Sequence, residues 1–96
     1  MLVLITYDVA TSDKCGQKRL RKVAKECLNY GQRVQNSVFE CELTSAQYVF
    51  LKKSLENIID DSLDSIRFYH LGKNWEGKVE KIGQDNSFNF NTELII

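Results

Sequence analysis

The chain places one carboxylate where carboxylates are costly. Met1–Val9 reads MLVLITYDV, a short apolar run rich in β-branched residues. That pattern belongs to a strand buried on both faces, and hence central in its sheet. Asp8 lies at its carboxyl end, and burying it unpaired costs on the order of several kcal/mol. Alternation puts Asp8 on the face of Leu2, Leu4 and Thr6, at a strand end, where sites are commonly built. Either Asp8 opens the next turn and helps cap the helix after it, or it is a hard-metal ligand. Magnesium takes oxygen donors, typically one or two carboxylates with waters and substrate phosphate. No D-x-D or H-x-x-x-H pair lies near Asp8, and one carboxylate is a poor site. A two-fold axis beside Asp8 would supply a second.

The other chemistry is cationic. Between Lys14 and Arg33 lie Lys14, Lys18, Arg19, Arg21, Lys22, Lys25 and Arg33, opposed only by Glu26. The whole chain has a formal net charge of zero, so no global polyelectrolyte signal exists. Screening confines fields to about 10 Å, however, and a local stripe survives overall neutrality. A one-sided basic stripe is either a solvated helix face or a phosphate-contact surface.

The remaining reactive residues read as packing. His70, the only histidine, stands on an extended stretch beside Phe68 and Ile66. Tyr48 and Phe50 fit a core better than a base-stacking platform, and Tyr7 fits either strand packing or a nucleotide contact. Cys15, Cys27 and Cys41 have neither metal-type spacing nor a histidine placed to activate a thiol, so they read as reduced cysteines of a cytoplasmic protein. No glycine-rich phosphate loop is present. Ninety-six residues, 43% of them hydrophobic, make one domain over 1–96. The opening apolar run lacks a basic region before it and is too short for a bilayer, so neither a signal peptide nor a membrane is expected.

These residues must be positioned by a small set of elements. Leu20, Val23, Ala24, Cys27 and Leu28 form a helical stripe, which Gly31 is expected to stop. Residues 33–43 are extended, with a break expected at Gln35-Asn36-Ser37. Thr44 and Gln47 form a capping box that opens a helix with the stripe Tyr48, Leu51, Leu55, Ile58 and Ile59. Ser65–Leu71 is an alternating aromatic strand, followed by the turn Gly72-Lys73-Asn74. Lys78–Gly83 is a weaker fifth strand, an edge or an arm, and the tail ends in Leu94-Ile95-Ile96. The order predicts an α+β, ferredoxin-like βαββαβ fold with an added C-terminal strand. Both helices then cover one sheet face, and the uncovered apolar face calls for a partner, most simply a second copy.

Several stretches resemble the CRISPR-associated protein 2 family: Tyr7-Asp8-Val9 after an apolar strand, the basic first helix, and Gly31-Gln32-Arg33-Val34-Gln35-Asn36-Ser37-Val38-Phe39-Glu40-Cys41. The stretch Asp64–Gly72, with Asn74-Trp75 and Val79-Glu80, is similar to the subtype I-C branch. The resemblance implies a ferredoxin-like homodimer in which the C-terminal strand and tail, 78–96, pack on the partner. It implies a role in spacer acquisition, with the dimer bridging the CRISPR-associated protein 1 integrase and binding the protospacer duplex. It also implies a Mg2+- or Mn2+-dependent endonuclease, acting on double-stranded DNA in this branch and on single-stranded RNA in others. Asp8 would then be catalytic residue and metal ligand. Tyr7, Arg33, Ser37 and Phe39 would surround it, with Lys18, Arg19, Arg21 and Lys22 toward nucleic acid. A non-catalytic DNA-binding adaptor is the alternative. The fold also scaffolds RNA-recognition motifs, but the Gly-Phe-Gly-Phe-Val signature is absent.

Overall fold

The computed structural model describes residues 1–10, 14–71 and 79–83. Strand β1 (Leu2–Asp8) leads to helix α1 (Lys14–Leu28), then β2 (Gly31–Gln35), β3 (Val38–Glu42), helix α2 (Ser45–Ile58), β4 (Ser65–Leu71) and β5 (Val79–Gly83). One antiparallel sheet runs β2-β3-β1-β4-β5. This is the ferredoxin-like interleaving with one strand added beside β4, so β1 is central, as its composition requires. Residues 79–83 pair with β4 of their own chain. The turn Gly72-Lys73-Asn74 and the tail 84–96 lie outside the described residues.

The helix side of the sheet holds the core. Val3, Ile5 and Tyr7 of β1, Phe39 and Cys41 of β3, and Ile66 and Phe68 of β4 are buried there against Val23, Ala24 and Cys27 of α1 and Tyr48, Leu51 and Leu55 of α2. On the other side Leu2, Leu4 and Thr6 are half-buried and Asp8 is exposed. The expectation of a strand buried on both faces is therefore corrected: among the described residues only the helices cover β1, and they cover one face.

Local chemistry explains the boundaries. Gln47 N donates to Thr44 Oγ1 (3.1 Å) and Thr44 N to Gln47 Oε1 (2.9 Å), the reciprocal capping box that starts α2. The break at 35–37 is a turn at Asn36 and Ser37 between β2 and β3. A bulge between Arg33 and Gln35 shifts the β2–β3 register. Gly31 does not stop α1, which ends at Leu28, but begins β2. A Cβ there would lie 1.9 Å from the Glu40 carbonyl oxygen of the neighbouring strand, so glycine answers a close backbone approach. Leu28, the last residue of α1, is exposed, so the buried part of the predicted stripe ends at Cys27.

Candidate carboxylate and nucleic-acid site

Asp8 ends β1 opposite Ser65 of β4. On the other side Tyr7 N donates to Ser37 O (2.9 Å), which brings the Asn36–Ser37 turn against the same strand end. The open face continues from Asp8 through Thr6, Leu4 and Leu2. Strand register adds Val38, Glu40 and Glu42 on β3, Arg67, Tyr69 and Leu71 on β4, and Val79 and Lys81 on β5. It is an apolar strip between an acidic margin on β3 and a basic one on β4–β5.

Among the described residues no group of three or more His, Cys, Asp or Glu side chains is arranged to hold a metal ion. Among the described residues, Asp8 is the carboxylate that this strand end presents to the open face, and one carboxylate is a poor magnesium site.

Lys18, Arg21, Lys22 and Lys25 are all exposed and line one shallow depression on the solvent side of α1. Spacings of three, four and seven residues bring them to one face. Arg19, a neighbour in sequence, does not join them. Each helical residue turns roughly 100°, which swings Arg19 toward the apolar side of α1. There its Nε and Nη2 donate to Asp64 Oδ2 (2.6 Å) and Oδ1 (3.1 Å).

Asp64 carried no signal of its own in the sequence beyond opening the stretch Asp64–Gly72. In the structure it is fully buried. Besides Arg19, its carboxylate accepts from Tyr7 Oη (2.5 Å), Ala10 N (3.0 Å) and Asp60 N (3.2 Å). Burial pushes this carboxyl up, but the donors from Arg19, Tyr7, Ala10 and Asp60 outweigh it and hold it down to about 2. Burial and the neighbouring Asp64 raise the Tyr7 phenol well above its usual range, so it stays a donor.

The other candidates separate by depth. Tyr7 (2% exposed) and Phe39 (0%) belong to the core, on the face opposite Asp8, and neither reaches a surface where nucleic acid could stack. Arg33 is exposed on β2, 5.3 Å from the Phe39 ring centroid, with Nε donating to Asn36 O (2.8 Å). Ser37 is half-buried in the turn beside Asp8. The packed reading of His70 holds. Its ring lies 4.7 Å from Tyr48, edge to face, and its Nε2 is 3.4 Å from Glu80. Glu80 also accepts from Tyr48 and from Lys52 Nζ (2.8 Å), which ties β5 to α2.

A family model described as CRISPR associated protein Cas2 matches residues 1–79. The CRISPR-associated endonuclease Cas2 of Halalkalibacterium halodurans is 59% identical over 95 residues, covering 99% of either chain. The CRISPR-associated endoribonuclease Cas2 of Chlorobaculum tepidum is 53% identical over 96 residues, covering all of both. The crystal structure of Streptococcus pyogenes Cas2 at pH 6.5 superimposes with a TM-score of 0.74 at 61% identity, covering 86% of this chain and all of that one.

Proposed function

The chain belongs to the CRISPR-associated protein Cas2 family, and from that membership we propose a homodimer for CRISPR adaptation that lays duplex DNA across its basic helices and cleaves phosphodiesters at Asp8. The observation that carries this reading is one of placement. The only carboxylate at the end of the central strand lies on the rim of an uncovered apolar sheet face, while four cations of α1 share one outward face.

The charge pattern of the open face favours one way of pairing it. Two identical sheets stacked face to face can be related by an axis along β1 or by one across it. An axis across β1 opposes Glu40 and Glu42 to their own copies. An axis along β1 sets that acidic margin over the partner's basic margin of Arg67 and Lys81. Complementary charge selects the second arrangement, which also brings the two Asp8 carboxylates to the same end. That pair is the two-carboxylate donor set a hard divalent cation needs. Bound there, Mg2+ or Mn2+ would supply Lewis-acid activation for phosphodiester hydrolysis. The chain's own residues hold the carboxylates in place and draw the phosphate backbone in through Lys18, Arg21, Lys22 and Lys25. Similarity across Asp64–Gly72 supports the subtype I-C branch, for which double-stranded DNA is the substrate class.

The adaptor reading has its own observation, the thinness of the donor set. Two aspartates with no further carboxylate among the described residues make a weak site. In that reading the dimer serves as a DNA-holding bridge to the CRISPR-associated protein 1 integrase. Cleavage of linear duplex by wild-type and Asp8→Ala protein, with magnesium and with chelator, decides between them. Metal-dependent cleavage lost in the variant supports the enzyme. Cleavage equal in both proteins removes Asp8 from the chemistry. Cleavage of single-stranded RNA alone would move this chain to the activity named for its endoribonuclease relatives.

A further inference from the structure

We propose that Asp64 is the positioning residue of the Asp8 site, and that Arg19 and Tyr7 serve the site through it rather than by touching nucleic acid. The inference rests on reading Asp8 as the working carboxylate.

The two aspartates lie on opposite sides of one strand end. Tyr7 precedes Asp8 and points into the core, and Ala10 follows two residues later. Both donate to the Asp64 carboxylate. Asp64 in turn immediately precedes Ser65, the cross-strand partner of Asp8. Asp8 is thus bracketed along its own strand and across to β4 by groups converging on one buried carboxylate. Strand ends ordinarily fray. This one is held from beneath while Asp8 projects to the open face.

Stability alone does not account for the network. Burying a carboxylate with a guanidinium is costly enough that apolar replacements are often equally stable. What the network supplies is geometry: Tyr7, Ala10, Arg19 and Asp60 come from three separate stretches of chain and are fixed to two oxygen atoms at 2.5–3.2 Å. A working carboxylate must be held to a fraction of an ångström, and displacement by about 1 Å can cost about a hundredfold in rate. Gly83 completes the support. Its φ of 104° and a would-be Cβ 2.3 Å from the Asp64 carbonyl oxygen put bare backbone against Asp64 and Ser65.

The test uses the full chain and three readouts on Tyr7→Phe, Arg19→Ala, Asp64→Asn and the outward-facing pair Arg21→Ala/Lys22→Ala. Tyr7→Phe removes one hydroxyl and keeps the ring, so a folded variant is in hand even if Asp64→Asn unfolds. In chelator, duplex affinity of Tyr7→Phe and Arg19→Ala should stay within about twofold of wild type, while the outward pair loses about tenfold. With magnesium, Tyr7→Phe and Arg19→Ala should lose kcat by about tenfold or more at unchanged KM, and the outward pair should raise KM. Amide exchange at Ala10 should accelerate in Tyr7→Phe while Val3 and Ile5 stay protected. Loss of duplex affinity in Arg19→Ala matching that of the outward pair would make Arg19 a contact and overturn the proposal, as would unchanged kcat and Ala10 exchange in Tyr7→Phe. Wild-type cleavage by Asp8→Ala would overturn the reading of Asp8 instead, and the positioning role with it, even where exchange shows Ala10 held by Asp64.

Discussion

Asp8 and Asp64 are two aspartates on either side of the same strand end, and the protein treats them in opposite ways. Asp64 is fully buried and has every donor it needs from its own chain. Asp8 is exposed at the rim of a face that the described residues leave uncovered. The difference separates structure from chemistry. A buried carboxylate saturated internally cannot take up a cation or a substrate, whereas an exposed one at a rim is accessible to both. Nearness in sequence misleads in the same way on α1. Arg19 is committed inward, while Lys18 and Arg21 face solvent.

The contrast can be broken from the buried side with the largest effect. Asp64→Ala leaves the half-enclosed Arg19 guanidinium without its carboxylate, and is expected to cost about 3–5 kcal/mol in urea unfolding. Acid should act on the same group. Its folded value, about 2, lies below the unfolded one near 3.8, so its stabilisation is present above about pH 4. It is lost as pH falls toward 2, by roughly 2 kcal/mol. Thermal melts between pH 5 and pH 2 should show a steep decline in wild type that is shallower in Asp64→Asn. The smallest effect is expected on the exposed side: Asp8→Asn should change unfolding free energy by no more than about 1 kcal/mol, the size of an exposed polar interaction. A large destabilisation there would erase the distinction between the two residues.

Much of the fold was legible because its signals are local. The capping box at Thr44 and Gln47, the apolar run of β1 and the turn at Asn36–Ser37 each depend on residues within a few positions of one another. So does the outward face of Lys18, Arg21, Lys22 and Lys25. Asp64 was not legible, because its partners Arg19, Ala10 and Tyr7 lie 45, 54 and 57 positions away. One signal was available for Arg19: a helical wheel sets it between Lys22 and Val23, at the border of the apolar side. Gly31 was misread because a glycine after a helix has two explanations, and only the approach of β3 separates them. The uncovered face was foreseen from counting layers, whereas its charge asymmetry needed the strand register.

The bulge at the outer strand bears on how molecules of this protein can meet. β2 is exposed along its whole length and forms the edge of the sheet among the described strands, and an edge strand is the usual template for run-on pairing between chains. The register shift between Arg33 and Gln35 bends that border, and a bent border is a poor template for a further straight strand. Growth by adding strands at β2 is thereby discouraged, while among the described residues the broad face beside Asp8 is open. Contact through a self-complementary face consumes itself once two copies have met. A small irregularity at one margin of the sheet therefore works against a fibre built by strand addition.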